Sequence, residues 1–160
     1  MGSIGSKPAQ PDSEPFLRAG HRRPRTAERV RADVVATIAL GGALGALARY
    51  GVSRVVVPGP SSFPWPTFLT NLSGALVLGF FITLVIERLR PGRLLRPFFA
   101  VGFLGSFTTF STLAVESVVL VKDGHEALGA GYAIASVAGG LVSAYVGIVL
   151  ARLLPGGEYR

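Results

Sequence analysis

The chain has 160 residues, no cysteine and a formal net charge of +7. Apolar residues make up 49% of it, 21 residues are glycine, and the mean hydropathy is +0.50. This composition is typical of a membrane protein rather than of a soluble globular domain. The lack of cysteine excludes disulfides and thiolate metal sites.

The first part of the chain, residues 1–32, mixes Pro, Gly, Ser and Arg without apolar periodicity. Such a segment cannot bury enough apolar surface to offset the entropy of ordering, so we predict a disordered basic N-terminal tail. We interpret its arginines as a topology signal and expect no nucleic-acid partner, although a basic cluster can also bind anionic lipid. These arginines are Arg18, Arg22, Arg23, Arg25, Arg29 and Arg31.

Four apolar stretches follow, each long enough to cross a hydrocarbon core of roughly 30 Å. They predict an all-α membrane domain over residues 33–155, with a short C-terminal tail at 156–160. The loop between the second and third stretches is rich in arginine, which places both chain termini in the cytoplasm by the positive-inside rule. The stretches run approximately over Val34–Val57, Pro66–Ile86, Leu94–Val121 and Ala127–Leu154.

In the first stretch, Gly41 and Gly45 lie four residues apart and form a small face against which another helix can pack closely. Arg49 follows one turn later on the same face. An arginine in hydrocarbon costs at least about 2.5–3.5 kcal/mol, so Arg49 either anchors the helix end or lines a polar path. In the second stretch, Asn71 is a lone amide, which is typical either of a bond between helices or of a pore lining.

The third stretch combines glycine with hydroxylated and aromatic residues between Gly102 and Thr112. These are weak helix formers, so we predict a break in the third helix whose freed carbonyls could bind a cation. A continuous helix, with Ser and Thr bonded back to their own backbone, is the alternative. The edges of Phe107 and Phe110 carry positive partial charge and, with the nearby hydroxyls, offer uncharged donors to an anion.

Glu116 follows two turns later and could carry a proton or pair with Arg49. In the fourth stretch, Tyr132, Ser136 and Gly140 form a small and polar stripe at steps of four. Such a stripe alone indicates a helix seam. It gains functional meaning because the other stretches also contribute isolated polar residues.

Three motifs together resemble the CrcB or Fluc family of fluoride channels over about Ala39 to Leu154. The first motif joins Gly41, Gly45, Arg49 and Tyr50; the second joins Thr67, Asn71 and Gly74. The third runs from Gly102 through Gly105 and Phe110 to Thr112. Their order and spacing along the first three helices are distinctive of the family.

The resemblance implies a passive channel that exports cytoplasmic fluoride across the plasma membrane of a bacterium, with no enzymatic activity and no organic cofactor. It also implies an antiparallel dimer with a structural sodium ion at its centre. Backbone carbonyls of Gly105 and Thr108 would hold this sodium. The fluoride pathway would include Asn71, Phe110, Ser111, Thr112, Ser136, Tyr132, Arg49 and Glu116.

Three residues depart from the family pattern: Leu113 replaces a second pathway Phe, Pro66 replaces a Gly, and Gly140 replaces a Ser. Leucine has no positive ring edge, and the arginines are strongly biased to one side of the membrane. We therefore hypothesise a heterodimer with a paralogous subunit of opposite orientation, with a homodimer as the alternative. A proton-coupled small multidrug transporter, with Glu116 as its exchanging carboxylate, is the alternative function.

Overall fold

The computed structural model describes Gly2 and residues 32–59, 62–87 and 92–154. The chain divides into two units, Met1–Val30 and Arg31–Arg160, and the fold described below belongs to the second. The predicted tail, apart from Gly2 and Ala32, and the segment 156–160 lie outside the described residues.

The structure is all-helical, with four spans that are long and apolar enough to cross a membrane. The spans are Ala32–Val55, Trp65–Glu87, Pro97–Lys122 and Glu126–Leu153. At a rise of about 1.5 Å per residue, helices of this length measure about 35–42 Å. The four predicted apolar helices are therefore confirmed. Pro66 falls in the first turn of the second span, where its missing N–H is no loss because the first amides of a helix lack intrahelical partners.

The third span is interrupted, as the sequence predicted. It begins as a π-helix over Pro97–Leu104, continues as a short α-helical turn over Gly105–Phe107, and resumes as an α-helix over Phe110–Lys122. Between the two halves, Thr108 and Thr109 have extended backbone, with ψ angles of 156° and 120°. Two consecutive β-branched residues after a Gly-rich turn are poor helix formers, which favours the break at this point.

Glycines set how closely the spans approach. The first span packs mainly against the π-helical half of the third, and the second span packs mainly against the fourth. A Cβ added at Gly41 or Gly45 would lie 2.2 or 2.1 Å from a backbone carbonyl oxygen of the π-helix. A Cβ at Gly147 would likewise lie 2.1 Å from the carbonyl oxygen of Leu76. The predicted close face at Gly41 and Gly45 is thus confirmed, and the contact is backbone on backbone.

Two ion pairs lie at one end of the bundle. One joins the first span to the segment before the third, and the other joins the second span to the fourth. Asp33 at the start of the first span binds Arg93 before the third, and Glu87 at the end of the second binds Arg152 at the end of the fourth. In the second pair, Nε and Nη2 of Arg152 both donate to the same Glu87 oxygen, at 3.1 and 2.8 Å. All four side chains are substantially exposed, so these pairs add little stability on their own.

Substituting Gly147 with Ala should lower the unfolding temperature of the protein in detergent. The added methyl group has to push the backbone of the second span away, which costs about 1–3 kcal/mol for overpacking of this kind. Gly131→Ala on the same helix is the matched control, because a Cβ there meets nothing within 4 Å. Equal thermal stability of the two variants would show that the second and fourth spans do not pack through Gly147.

Candidate ion pathway

Asn71 holds the break in the third span by binding both backbone groups of one residue, Thr109, through the two ends of its side-chain amide. Its Nδ2 donates to the carbonyl oxygen of Thr109 at 2.9 Å, and the Thr109 N–H donates to Asn71 Oδ1 at 2.8 Å. The break would otherwise leave the Thr109 N–H unpaired inside the hydrocarbon region, where an unpaired group is costly. The sequence left open whether Asn71 links helices or lines a pore; the structure shows that it links the second and third spans.

The Thr109 side chain begins the second half of the third span. Its Oγ1 accepts a hydrogen bond from the Thr112 N–H at 3.2 Å and donates to Thr112 Oγ1 at 2.9 Å, with Ser111 Oγ at 3.3 Å. Thr109 is therefore the N-cap of the helix that starts at Phe110. Sequence reasoning assigned Thr109 no separate role. The signal was a Thr immediately before a resumed apolar helix, which is a common N-terminal cap.

The Thr109 and Thr112 N–H groups bind side chains instead of backbone carbonyls, and this changes the surroundings of two carbonyl groups. In an uninterrupted helix the Thr109 N–H would donate to the Gly105 carbonyl, and the Thr112 N–H would donate to the Thr108 carbonyl. Here the first donates to Asn71 and the second to the Thr109 hydroxyl. The two carbonyls to which the family resemblance assigns a cation, those of Gly105 and Thr108, have thus lost their regular helical donors. No cluster of three or more His, Cys, Asp or Glu suited to a metal occurs among the described residues.

One cavity, which we call the central groove, opens beside the break at about the middle of the bundle. It has a volume of about 390 Å³ and is lined by parts of the second, third and fourth spans. Five of the residues predicted from the sequence meet there: Asn71, Gly105, Thr108, Phe110 and Ser136. The groove is mostly apolar, and its polar groups are uncharged.

Two residues of the central groove could contact a ligand through groups that the protein leaves exposed or unbonded. Phe110 is 76% exposed, although it follows directly on the break. Ser136 is only 5% exposed, and its hydroxyl oxygen makes no hydrogen bond to any described residue. A buried hydroxyl without a partner is costly, so Ser136 is suited to a ligand or a water that enters the groove.

Two of the three residues that depart from the family pattern, Leu113 and Gly140, also line the groove, whereas Pro66 lines a separate cavity. Leu113 is buried, at 6% exposure, and belongs to a small apolar core with Leu120 and Tyr132. Gly140 faces open space, because a Cβ there would meet nothing within 4 Å. Compared with the family pattern, this chain offers the groove one ring and one hydroxyl fewer.

A second cavity, which we call the end cavity, lies where the first span ends and the second begins. It also measures about 390 Å³, and Arg49, Thr67, Thr112 and Glu116 are among its lining residues. Thr109 lines both the end cavity and the central groove, so the two spaces adjoin at the break. The end cavity contains the full charges of Arg49 and Glu116, whereas the groove has none among its lining residues.

Glu116 does not pair with Arg49, which was one of the possibilities raised by the sequence. Its Oε1 accepts a hydrogen bond from Thr67 Oγ1 at 2.9 Å, and its Oε2 accepts one from the Tyr132 hydroxyl at 2.7 Å. Tyr132 is fully buried and lines neither cavity, so it contacts the site through Glu116. Ser111, also predicted from the sequence, is exposed and lies outside both cavities.

Comparison with known proteins assigns the chain to a family. Residues 36–148 match the family described as CrcB-like protein, Camphor Resistance (CrcB). A Mycobacterium bovis protein named "Fluoride-specific ion channel FluC 1" is 42% identical over 118 residues, which cover 74% of this chain and 89% of the relative.

Two Streptomyces avermitilis relatives carry similar names. "Fluoride-specific ion channel FluC 3" is 42% identical over 78% of this chain and 61% of its own length. "Fluoride-specific ion channel FluC 2" is 45% identical over 68% of each chain. These relatives are named as channels rather than as enzymes, and their likeness to this chain favours the channel interpretation over the multidrug transporter. With its four apolar spans, the chain is a multi-pass membrane protein and belongs to the CrcB-like family.

Proposed function

We propose that this protein is a fluoride channel that lets the anion leave the cytoplasm passively. The observation that carries this proposal is the central groove, where uncharged donors and the exposed Phe110 ring gather beside a broken helix. Fluoride is small and strongly hydrated, so a path must replace its water without binding it too tightly. Ring edges and hydroxyls provide weak positive partial charge that suits this task.

The fluoride path runs from the end cavity past Thr109 into the groove. Arg49 attracts the anion at the end cavity, and Thr112 and Ser111 offer hydroxyls near the break. In the groove the anion meets Phe110 and Ser136, whose hydroxyl forms no hydrogen bond to any described residue. Asn71 retains one amide hydrogen beyond the bond that it donates to Thr109.

The active form is an antiparallel dimer. Phe110 is a large ring exposed at mid-span, and a second subunit would cover it and close the groove on its open side. A partner of opposite orientation fits the charge bias, since Arg93, Arg96 and Arg152 lie at the end of the bundle where the first span begins. That end is cytoplasmic. Streptomyces avermitilis has relatives numbered 2 and 3, which is consistent with pairs of paralogous subunits.

Backbone carbonyls of Gly105 and Thr108 would hold a structural sodium ion at the dimer centre. Both residues line the groove, and both carbonyls have lost their regular helical donors to Asn71 and Thr109. Carbonyl oxygens are suitable ligands for a hard monovalent cation. When bound, the ion would supply a fixed positive charge that stabilises the broken backbone.

Fluoride efflux from liposomes, recorded with a fluoride electrode, tests the proposed function. The wild-type chain should release fluoride, either alone or after reconstitution with a paralogous subunit, and the first of these results would exclude an obligate heterodimer. In the conducting form, Phe110→Leu should lower efflux by roughly ten-fold or more, because leucine lacks the ring edge that strengthens anion entry.

Val115→Ala is the matched control for Phe110, since Val115 is also exposed on the same half-helix but lies outside the groove. Its efflux should equal that of the wild type. No efflux from the wild-type chain in either form would refute the channel. Unchanged efflux in Phe110→Leu would remove Phe110 from the path.

Asn71→Asp should reduce both thermal stability and efflux. The carboxylate can still accept from the Thr109 N–H, but it cannot donate to the Thr109 carbonyl, and loss of such a hydrogen bond costs about 0.5–1.5 kcal/mol. Ser73→Ala is the control, because the Ser73 hydroxyl bonds only to its own helix backbone. An unfolding temperature for Asn71→Asp equal to that of the control would show that Asn71 does not hold the break.

Replacing sodium with N-methyl-glucamine should lower the dimer fraction measured by chemical crosslinking in detergent. The reason is that two sets of freed carbonyls would face each other without a cation between them. Replacement of chloride at constant sodium is the control and should leave the dimer unchanged. A dimer indifferent to sodium would refute the proposed cation site.

A further inference from the structure

Arg49 and Glu116 face the same cavity and carry opposite charges, yet they form no ion pair. Both are half-buried and both belong to the described part of the chain. Across a shared cavity an arginine and a carboxylate attract each other, and a two-point bond between them is among the strong ones in proteins. Something else in the structure must therefore hold Glu116.

Glu116 is held from two helices at once. Thr67 on the second span donates to Oε1 and Tyr132 on the fourth span donates to Oε2, so each carboxylate oxygen has one donor. Neither donor carries a charge. The two bonds hold the carboxylate between the second and fourth spans.

Tyr132 has little freedom to move away from this position. It is fully buried, and the Phe63 ring packs against its ring edge to face, with centroids 5.2 Å apart and planes at 84°. Phe63 itself packs against Trp65 and Phe68, at 4.7 and 5.0 Å. The short segment from Phe63 to Thr67 thus supplies both the ring that packs against Tyr132 and the hydroxyl that binds Glu116.

If Glu116 lost one donor, it would have two spaces to enter. One is the end cavity with Arg49; the other is a smaller cavity of about 230 Å³ under the loop that precedes the second span. Asp123 lines the smaller cavity together with Glu116, and a second carboxylate repels the first. The released carboxylate would therefore turn to Arg49.

We propose that Thr67 and Tyr132 are positioning residues that hold Glu116 away from Arg49, so that the guanidinium stays available to attract anions into the end cavity. A direct ion pair would cancel the positive charge at the point where the anion enters and would occupy the cavity with two side chains. This inference rests on the proposed channel function, which assigns Arg49 its role in anion entry.

Suppression of one substitution by another tests this proposal. Tyr132→Phe keeps the packed ring but removes the hydroxyl, and it should lower fluoride efflux by roughly ten-fold, as expected when local attraction of the anion is lost. Adding Glu116→Gln should restore efflux to the level of Glu116→Gln alone, because the neutral amide cannot cancel the charge of Arg49. Tyr145→Phe, an exposed tyrosine on the same helix, is the control and should leave efflux unchanged.

Two results would overturn the proposal. Efflux by Tyr132→Phe equal to that of the wild type would show that the Tyr132 hydroxyl does not matter for anion entry. A double variant as impaired as Tyr132→Phe alone would show that Tyr132 acts on the anion directly and not through Glu116.

A thermal-stability cycle gives a readout that does not depend on conduction. Arg49→Gln, Glu116→Gln and the double variant are compared in the wild-type and Tyr132→Phe backgrounds. In the wild-type background the two substitutions should shift the unfolding temperature additively. In the Tyr132→Phe background they should be coupled, since the ion pair now exists to be broken. Additivity in both backgrounds would refute the proposal even if the wild-type chain conducts fluoride, whereas absent wild-type efflux would count only against the channel.

Discussion

A backbone that leaves the helical path inside a membrane has no water to bind, and this constraint governs the centre of the protein. The bond between Asn71 and Thr109 meets it, because a carboxamide has the same donor and acceptor as a peptide unit. By occupying both groups of Thr109, Asn71 allows the chain to stay extended there. The Thr109 hydroxyl then starts the next helix. Without these two contacts, the third span would be expected to close into a continuous helix.

The glycine contacts give the break its position relative to the other spans. Since Gly41 and Gly45 bring the first span onto the backbone of the π-helical segment, the half of the third span before the break is held from one side. The half after it packs against the fourth span. Each half is thus fixed to a different neighbour, and the opening between the halves remains as the adjoining end cavity and central groove.

Much of this architecture could be predicted from the sequence, because the membrane restricts the choices. Apolar stretches of about 20 residues predict membrane-spanning helices. Gly41 and Gly45 predict close packing of the first helix against another, whichever helix that is. The π-helical form of that partner could not be foreseen, since Pro97–Leu104 has no pattern that separates a π-helix from an α-helix. The break was predictable because Gly and Thr are weak helix formers, but its exact residues depend on where Asn71 reaches.

The choice of partners within the site was beyond the sequence for a different reason. The Asn71 amide could bind the backbone N–H and C=O of any residue. The Glu116 carboxylate could accept a hydrogen bond from Arg49, Thr67 or Tyr132. Only the angles between the spans decide, and they bring two uncharged donors to Glu116 in place of the cation. Likewise, the sequence could not show that Leu113, although it lines the groove, is largely buried in the apolar core with Tyr132.

The distribution of charge follows depth in a way that suits the proposed conduction. Full charges line the end cavity, where nearby water lowers their cost, and the groove beside the break is lined by neutral groups. A fixed positive charge in the groove would bind fluoride too strongly for it to leave, whereas hydroxyls and ring edges bind weakly and at several points. An Arg49 that pairs with no acidic residue in the described part of the chain and an uncharged groove are therefore complementary: the first gathers anions, and the second lets them pass.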